Sequence, residues 1–421
     1  MKLSFLILVV CIAALVLLFW RTNGPGAKEH DIVLKSVEHP SAPSSLWGAS
    51  YLKRDGVEMV RNGGYSPDNG RTWENLSPKP DFDSKLPYGY RRGKLPLFVD
   101  PVNGRILSTV MAIDTPGLDP KINEPLEERQ NSYLRYRVSI DGGKTYLFDE
   151  PIIQKDKTLD NPFDGIFRDK NAIFPGDCGS QIIRTRRGDI IAPFQATIPG
   201  PDGKLANPGG GFTWTETVML IGRWAPDNRI EWYVSKIVGD PARSTRGMIE
   251  PTLAEMPDGR ILCVMRGSNG GSKDPDCKLP SYKWISVSTD GGFHWSKPEP
   301  WTYEDGTPFY SPSSMSQLLK HSSGRIFWIG NLSETNCRAN HPRYPLVIGE
   351  VDRKTLHLIR NSVLAIDTAR PEERDPSMSY LSLSHFWSLE DRETKDIVIV
   401  GSRALAQYTK YEPVVYRIAV P

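Results

Sequence analysis

The chain has 421 residues, and its 52 Lys plus Arg stand against 50 Asp plus Glu for a formal charge of +2. That near balance, with no long basic run, excludes an electrostatic footprint for nucleic acid. HExxH, paired CxxC, P-loop and strand-following GxGxxG motifs are absent, so neither a cofactor nor a metal site is expected.

The first element in chain order is an apolar run from Leu3 to Trp20, broken only by Ser4 and set between Lys2 and Arg21. It is an export signal, longer than an ordinary signal-peptide core and close to the lower limit for spanning a bilayer. Residues 1–21 therefore read either as a signal peptide, with Gly24-Pro25-Gly26 before Ala27 as the cleavage region, or as an uncleaved signal-anchor. Either way the rest of the chain is expected outside the cytoplasm, secreted or periplasmic, or held at a membrane through residues 3–20. Cys11 follows Val10 and not a small residue, which argues against lipidation. Residues 22–45, rich in Gly, Pro and Ser, read as a linker, leaving 46–421 as the folded domain. Cys178, Cys263, Cys277 and Cys337 are available for pairing after export, and their spacing does not select partners.

Within the domain one octapeptide occurs three times: Ser66-Pro67-Asp68-Asn69-Gly70-Arg71-Thr72-Trp73, Ser139-Ile140-Asp141-Gly142-Gly143-Lys144-Thr145-Tyr146 and Ser288-Thr289-Asp290-Gly291-Gly292-Phe293-His294-Trp295. Ser at the first place, Asp at the third, Gly at the fifth and an aromatic at the eighth describe a β-hairpin turn. The Asp carboxylate accepts backbone N–H bonds, Gly supplies the positive φ, and the aromatic covers the loop. Weaker copies start at Asp227 and Asp352, so the aspartates recur every roughly 60 to 90 residues, the length of one small antiparallel sheet. A second turn series runs in phase with the first, at Asn103-Gly104-Arg105, Arg187-Gly188-Asp189, Asp258-Gly259-Arg260, Ser323-Gly324-Arg325 and Lys395-Asp396, each before an apolar strand. Five turn-and-strand units, plus a first octapeptide whose sheet is completed from elsewhere, predict an all-β, six-bladed β-propeller. A sandwich does not repeat at this period, and β-helix repeats are far shorter.

The octapeptides resemble the Asp boxes of the exo-sialidase (neuraminidase) superfamily and its bacterial-neuraminidase-repeat relatives. Three further segments share the likeness. Glu250-Pro251 begins one strand and Met265-Arg266 ends the next; Arg343-Tyr344-Pro345-Leu346 resembles an Arg-x-Pro-Leu motif; and Met378-Ser379-Tyr380-Leu381 resembles the strand that carries the nucleophile. The resemblance spans roughly residues 60 to 405 in the order Glu, Arg, Arg, Tyr. It implies a hydrolase that releases a terminal carboxylated, sialic-acid-like sugar from an acidic glycan, with the Asp boxes on the rim away from the ligand.

In that chemistry a carboxylate nucleophile would be repelled by the sugar's own carboxylate, so a neutral Tyr380 attacks and Glu250 serves as its base. Arg266 and Arg343 grip the substrate carboxylate with a planar fork that Lys cannot reproduce; Arg338, in the same loop as Arg343, competes for the second role. Two departures from the family pattern stand out. Lys94-Leu95-Pro96 occupies the place of an Arg-Ile-Pro motif, so the first clamp position is Lys94 unless Arg91 or Arg92 swings in. The acid/base aspartate is displaced: counting back from Ser139 reaches Asn131, which is no acid, and counting forward from Lys94 reaches Asp114 and Asp119. Asp119 is the expected acid, with a turn-forming role before Pro120 as its alternative. A carbohydrate-binding propeller without a working acid, a hydrolase or lyase of another acidic sugar, and an extracellular scaffold remain open.

Overall fold

The computed structural model describes residues 31–122, 131–166, 172–176, 181–374, 381–405 and 409–421. The apolar leader, Cys178 and Tyr380 lie outside them.

The chain forms six antiparallel sheets in sequence order. Blade I is built from Ser50–Tyr51, Met59–Arg61, Gly64–Ser66 and Glu74–Asn75. Blade II uses Tyr90–Lys94 and Phe98–Val99 as its broken inner strand, then Ile106–Asp114, Ser132–Ser139 and Asp149–Pro151. In blade III Ile173–Phe174 and Ile183–Arg184 both line Ile190–Ala196, followed by Glu216–Trp224 and Ile230–Ile237. Blade IV is Ile249–Glu255, Ile261–Arg266, Lys283–Ser288 and Glu299–Pro300. Blade V is Gln317–Lys320, Ile326–Asn331, Leu346–Glu350 and Leu364–Asp367. Blade VI has Phe386–Glu390, Ile397–Leu405 and Lys410–Ala419, and takes its outer strand, Val33–Glu38, from the other end of the chain.

Closure thus differs from expectation in one respect. The first octapeptide's sheet is complete within residues 50–75, and the last sheet is the one that borrows a strand. The lender is the stretch read as a linker: Val33–Glu38 pairs along Lys410–Ala419, and Ile32 is buried between blades V and VI. The folded domain therefore begins before residue 46. A Gly/Pro/Ser-rich composition hid a six-residue strand whose alternating side chains need only one covered face.

Each pair of neighbouring blades shares its own apolar core, which is why middle strands read as unbroken apolar runs. In Ile261–Arg266, Ile261, Cys263 and Met265 face blade III, while Leu262 and Val264 face blade V. Both faces are dry, and each such aliphatic side chain contributes on the order of 1.5–3 kcal/mol.

The three octapeptides are hairpins between third and fourth strands. In the second, Asp141 Oδ1 accepts the backbone N–H groups of Lys144 and Thr145, each at 3.0 Å, and Oδ2 accepts the Thr145 hydroxyl at 2.7 Å. Ser139 donates to the same carboxylate at 2.8 Å and accepts the Gly143 N–H at 2.9 Å, which explains the fixed Ser. Trp73 and Trp295 close their loops by donating to the Gly70 and Gly292 carbonyls at 3.0 and 2.8 Å. Asp227 and Asp352 occupy the equivalent turns of blades III and V, with Asn228 and Leu356 taking the positive φ in place of Gly. The second turn series joins first to second strands, so both series crowd one end of the ring. First strands begin, second strands end and third strands begin at the opposite end.

Candidate active site

That opposite end holds Glu250 and Arg266 of blade IV and Arg343, in the loop that enters the third strand of blade V. Glu250 is the second residue of its strand, at a register shift before Pro251, and its φ of 49° is left-handed, an uncommon state for a side-chain-bearing residue. Its backbone N–H donates to Gln195 Oε1 at 3.1 Å, which anchors the bend to the end of the second strand of blade III. A Cβ at Gly176 would lie 2.5 Å from Glu250 Cγ, so only glycine admits the side chain there.

Arg266 ends the next strand and meets Glu250 Oε2 with its Nη1 at 2.6 Å; both side chains are 5% exposed. Its Nε donates to Ser313 Oγ at 2.8 Å and its Nη2 to Asn340 Oδ1 at 3.1 Å, so one guanidinium joins blade IV to two loops of blade V. Arg343, 3% exposed, reaches the same loop from the other side, with Nη2 donating to the Ser313 carbonyl and Nη1 to Ser384 Oγ, both at 3.2 Å. Arg338, its competitor, is exposed. Tyr380 lies outside the described residues, but the chain just after it runs beside Arg343: Ser382 bridges Arg343, and Leu383 N–H donates to the Arg343 carbonyl at 3.0 Å.

Two expected residues stand apart from this cluster. Lys94 ends its strand on the surface and pairs with Asp83 at 3.1 Å, a carboxylate that the buried Arg137 also engages. Asp119 is exposed, and its Oδ1 accepts the Lys121 N–H at 2.9 Å, the turn-forming arrangement. On blade II the site end holds Arg92 instead, which donates to Asp114 Oδ1 at 2.8 Å, while Tyr133 donates to Asp114 Oδ2 at 2.8 Å. Burial first, then the bond to Asp114, pushes the Tyr133 phenol up. Asn131 directly precedes the third strand of blade II, at this same end.

Sequence reasoning missed Lys283, Ser313, Gln195, Asn340 and Ser384. Lys283 sits opposite Arg266 in the strand ladder and is fully buried. A charged residue at the head of the apolar run Lys283–Ser288 was its one visible signal. The serines and amides carry no pattern that separates them from surface loops.

Fold and charged cluster together define a sialidase-like β-propeller. The profile of the BNR repeat-like domain family matches residues 120–365, more than half of the chain, and the chain belongs to that family. Among solved structures it is similar to the NanB sialidase of Streptococcus pneumoniae in complex with 2-[(3-chlorobenzyl)ammonio]ethanesulfonate, at 14% identity over 92% of this chain and 70% of that one, with a TM-score of 0.53. A leech intramolecular trans-sialidase is similar at 11% identity, over 92% and 70% of the two chains, with a TM-score of 0.52. A protein of unknown function from Dyadobacter fermentans is similar over 94% of this chain and the whole of that one, at 14% identity and a TM-score of 0.51. At these identities the likeness is one of fold. No curated protein matches the chain by sequence.

Proposed function

We propose that this protein is an exported glycoside hydrolase that releases a terminal carboxylated sugar, sialic acid or a close analogue, from acidic glycans. The observation that carries the reading is the meeting of Arg266 and Arg343, from two distant segments, at Ser313, with Glu250 paired to Arg266, at the end of the ring opposite the Asp boxes. Arg266 and Arg343 bind the sugar's carboxylate. Tyr380 attacks the anomeric carbon as its bond to the aglycone oxygen breaks, Glu250 takes the phenol proton, the aglycone leaves with a proton from solvent, and water then cleaves the tyrosyl–sugar bond to release the sugar. The names of the similar sialidase structures support the reaction class, and the apolar run 3–20 supports export.

A second reading keeps the anion site but not the turnover, as a carbohydrate-binding propeller. It is favoured by Asp119 closing its own turn and Lys94 being held by Asp83, which leaves neither expected group in the cluster. Fluorophore release from a panel of α-linked acidic sugars separates the two. Turnover of at least one acidic sugar, with none of its methyl ester, is the expected result. Binding of the acidic sugars without release of any fluorophore would establish the second reading.

A further inference from the structure

Lys283 is 0% exposed, and among the described residues no carboxylate lies within ion-pair distance of it. Burying an ammonium costs several kcal/mol unless its donors and charge are used, and a Met would fill the same space without that cost. Its Nζ donates to the Pro312 carbonyl at 3.5 Å and to the Ser314 carbonyl. These flank Ser313, whose hydroxyl takes Arg266 Nε and whose carbonyl takes Arg343 Nη2. The loop is pinned from outside as well, by Ser311 N–H to the Ser281 carbonyl at 2.9 Å and Ser313 N–H to the Ala339 carbonyl at 2.8 Å. One four-residue turn therefore serves three buried cations.

We propose that Lys283 is a positioning residue of the anion site: its ammonium holds the 311–314 turn so that Ser313 sets Arg266 and Arg343, and an anion bound there is accompanied by proton uptake at Lys283. The location of the site rests on the reading above, and the inference adds a coupling between anion binding and protonation.

The groups facing Lys283 from its neighbours determine the sign of that coupling. Burial, followed by the charge of Arg266, pushes the ammonium down to about 7, with Arg343 acting in the same sense and Glu250 and the Cys337 thiol opposing. Burial raises the thiol itself. His341, beside Arg343, is held below the usual imidazole range by burial and by that arginine. The Tyr282 phenol, whose ring stacks on Tyr310, is raised by burial. Near neutral pH Lys283 is thus close to its midpoint, and a bound anion favours its charged form. Anion affinity should fall as pH rises from about 6 to about 9, with one proton gained across binding at most.

The test is calorimetric titration of the full chain with inorganic sulfate and, separately, N-acetylneuraminic acid, in Tris and HEPES, whose ionisation enthalpies differ. The parent should take up a fraction of a proton per anion near pH 7.5 and almost none near pH 5.5. Lys283→Arg, always charged, should keep affinity and lose the uptake, whereas Lys283→Met should lose the uptake and bind about tenfold more weakly, one pKa unit's worth. Uptake that is absent in the parent, uptake that survives in Lys283→Met, or failure of both anions to bind each overturns the proposal. If neither variant folds, the parent's uptake profile against pH still decides. Lys283-dependent uptake with sulfate, without cleavage of any acidic sugar, would sink the hydrolase reading and leave Lys283 standing; cleavage without uptake would do the reverse.

Discussion

The two ends of the propeller are built from similar contacts over very different distances along the chain. In the Asp-box turns each hydrogen bond to the carboxylate spans two to four residues, as in Ser288 to Asp290 and His294 to Asp290. At the site end Arg266 reaches Ser313 and Asn340 across 47 and 74 residues, and Glu250 reaches Gln195 across 55. Exposure differs too: the Asp290 side chain is 38% exposed, whereas those of Glu250 and Arg266 are 5% exposed. Local bonds in half-wet turns organise each blade separately. Long-range bonds from these buried charged residues exist only once neighbouring blades have docked, so they are where chemistry and stability are coupled.

Opening the ring is the harshest test of that dependence. A protein beginning at Ser45 lacks Val33–Glu38, leaving the edge of Lys410–Ala419 unpaired and the core around Tyr416 and Ile418 uncovered. It should lose its cooperative thermal transition, while one beginning at Asp31 should melt like the parent. Calorimetry distinguishes the two, and identical melting would place ring closure elsewhere.

Changes confined to the site end should separate activity from stability. Tyr380→Phe removes one hydroxyl and should lower kcat on an acidic sugar by orders of magnitude at an unchanged melting temperature. A fluorinated acidic-sugar probe should leave its adduct on the peptide containing Tyr380 in the parent, and an adduct on a carboxylate would refute that role. Arg266→Lys and Arg343→Lys keep the charge but lose the fork. Each should cost about 1.5–3 kcal/mol of transition-state stabilisation, read as a fall in kcat/KM. Near-parental turnover by the double variant would remove the clamp.

The turn end should behave in the opposite way. Asp290→Ala orphans backbone N–H groups and should lower stability by about 1–3 kcal/mol while leaving turnover per folded molecule nearly unchanged. Burial works against the Asp290 carboxylate, but the backbone and ring bonds from His294 hold it at about 2. Because the folded value is depressed, its stabilisation is present above about pH 4 and lost as pH falls toward 2. The gap between parent and variant in denaturant titrations should close over that window, and a gap independent of pH would mean that the charge is not what the turn uses.

The amino-acid order by itself determined the all-β class, the repeat, its hairpin turns and the count of six, because each rests on spacing within a few residues. It also marked Glu250 and Arg266, charges at the ends of apolar strands, and Arg343, through its Arg-x-Pro-Leu likeness just before the strand Leu346–Glu350. Closure of the ring by Val33–Glu38 was illegible, since a strand with one covered face leaves a weak pattern and its partner lies at the far end of the chain. Lys94 and Asp119 show the converse. Lys94 was placed by its Lys-Leu-Pro match and Asp119 by counting along the sequence, and the fold puts one on an exposed ion pair and the other in its own turn, because neither a short match nor a count fixes where a side chain on a rebuilt loop faces. The roles of Lys283, Ser313 and Gln195 became visible only in three dimensions. A buried lysine, a loop serine and a strand glutamine acquire their roles from the partners that folding brings within 3.5 Å, and nothing local to their own segments encodes those partners.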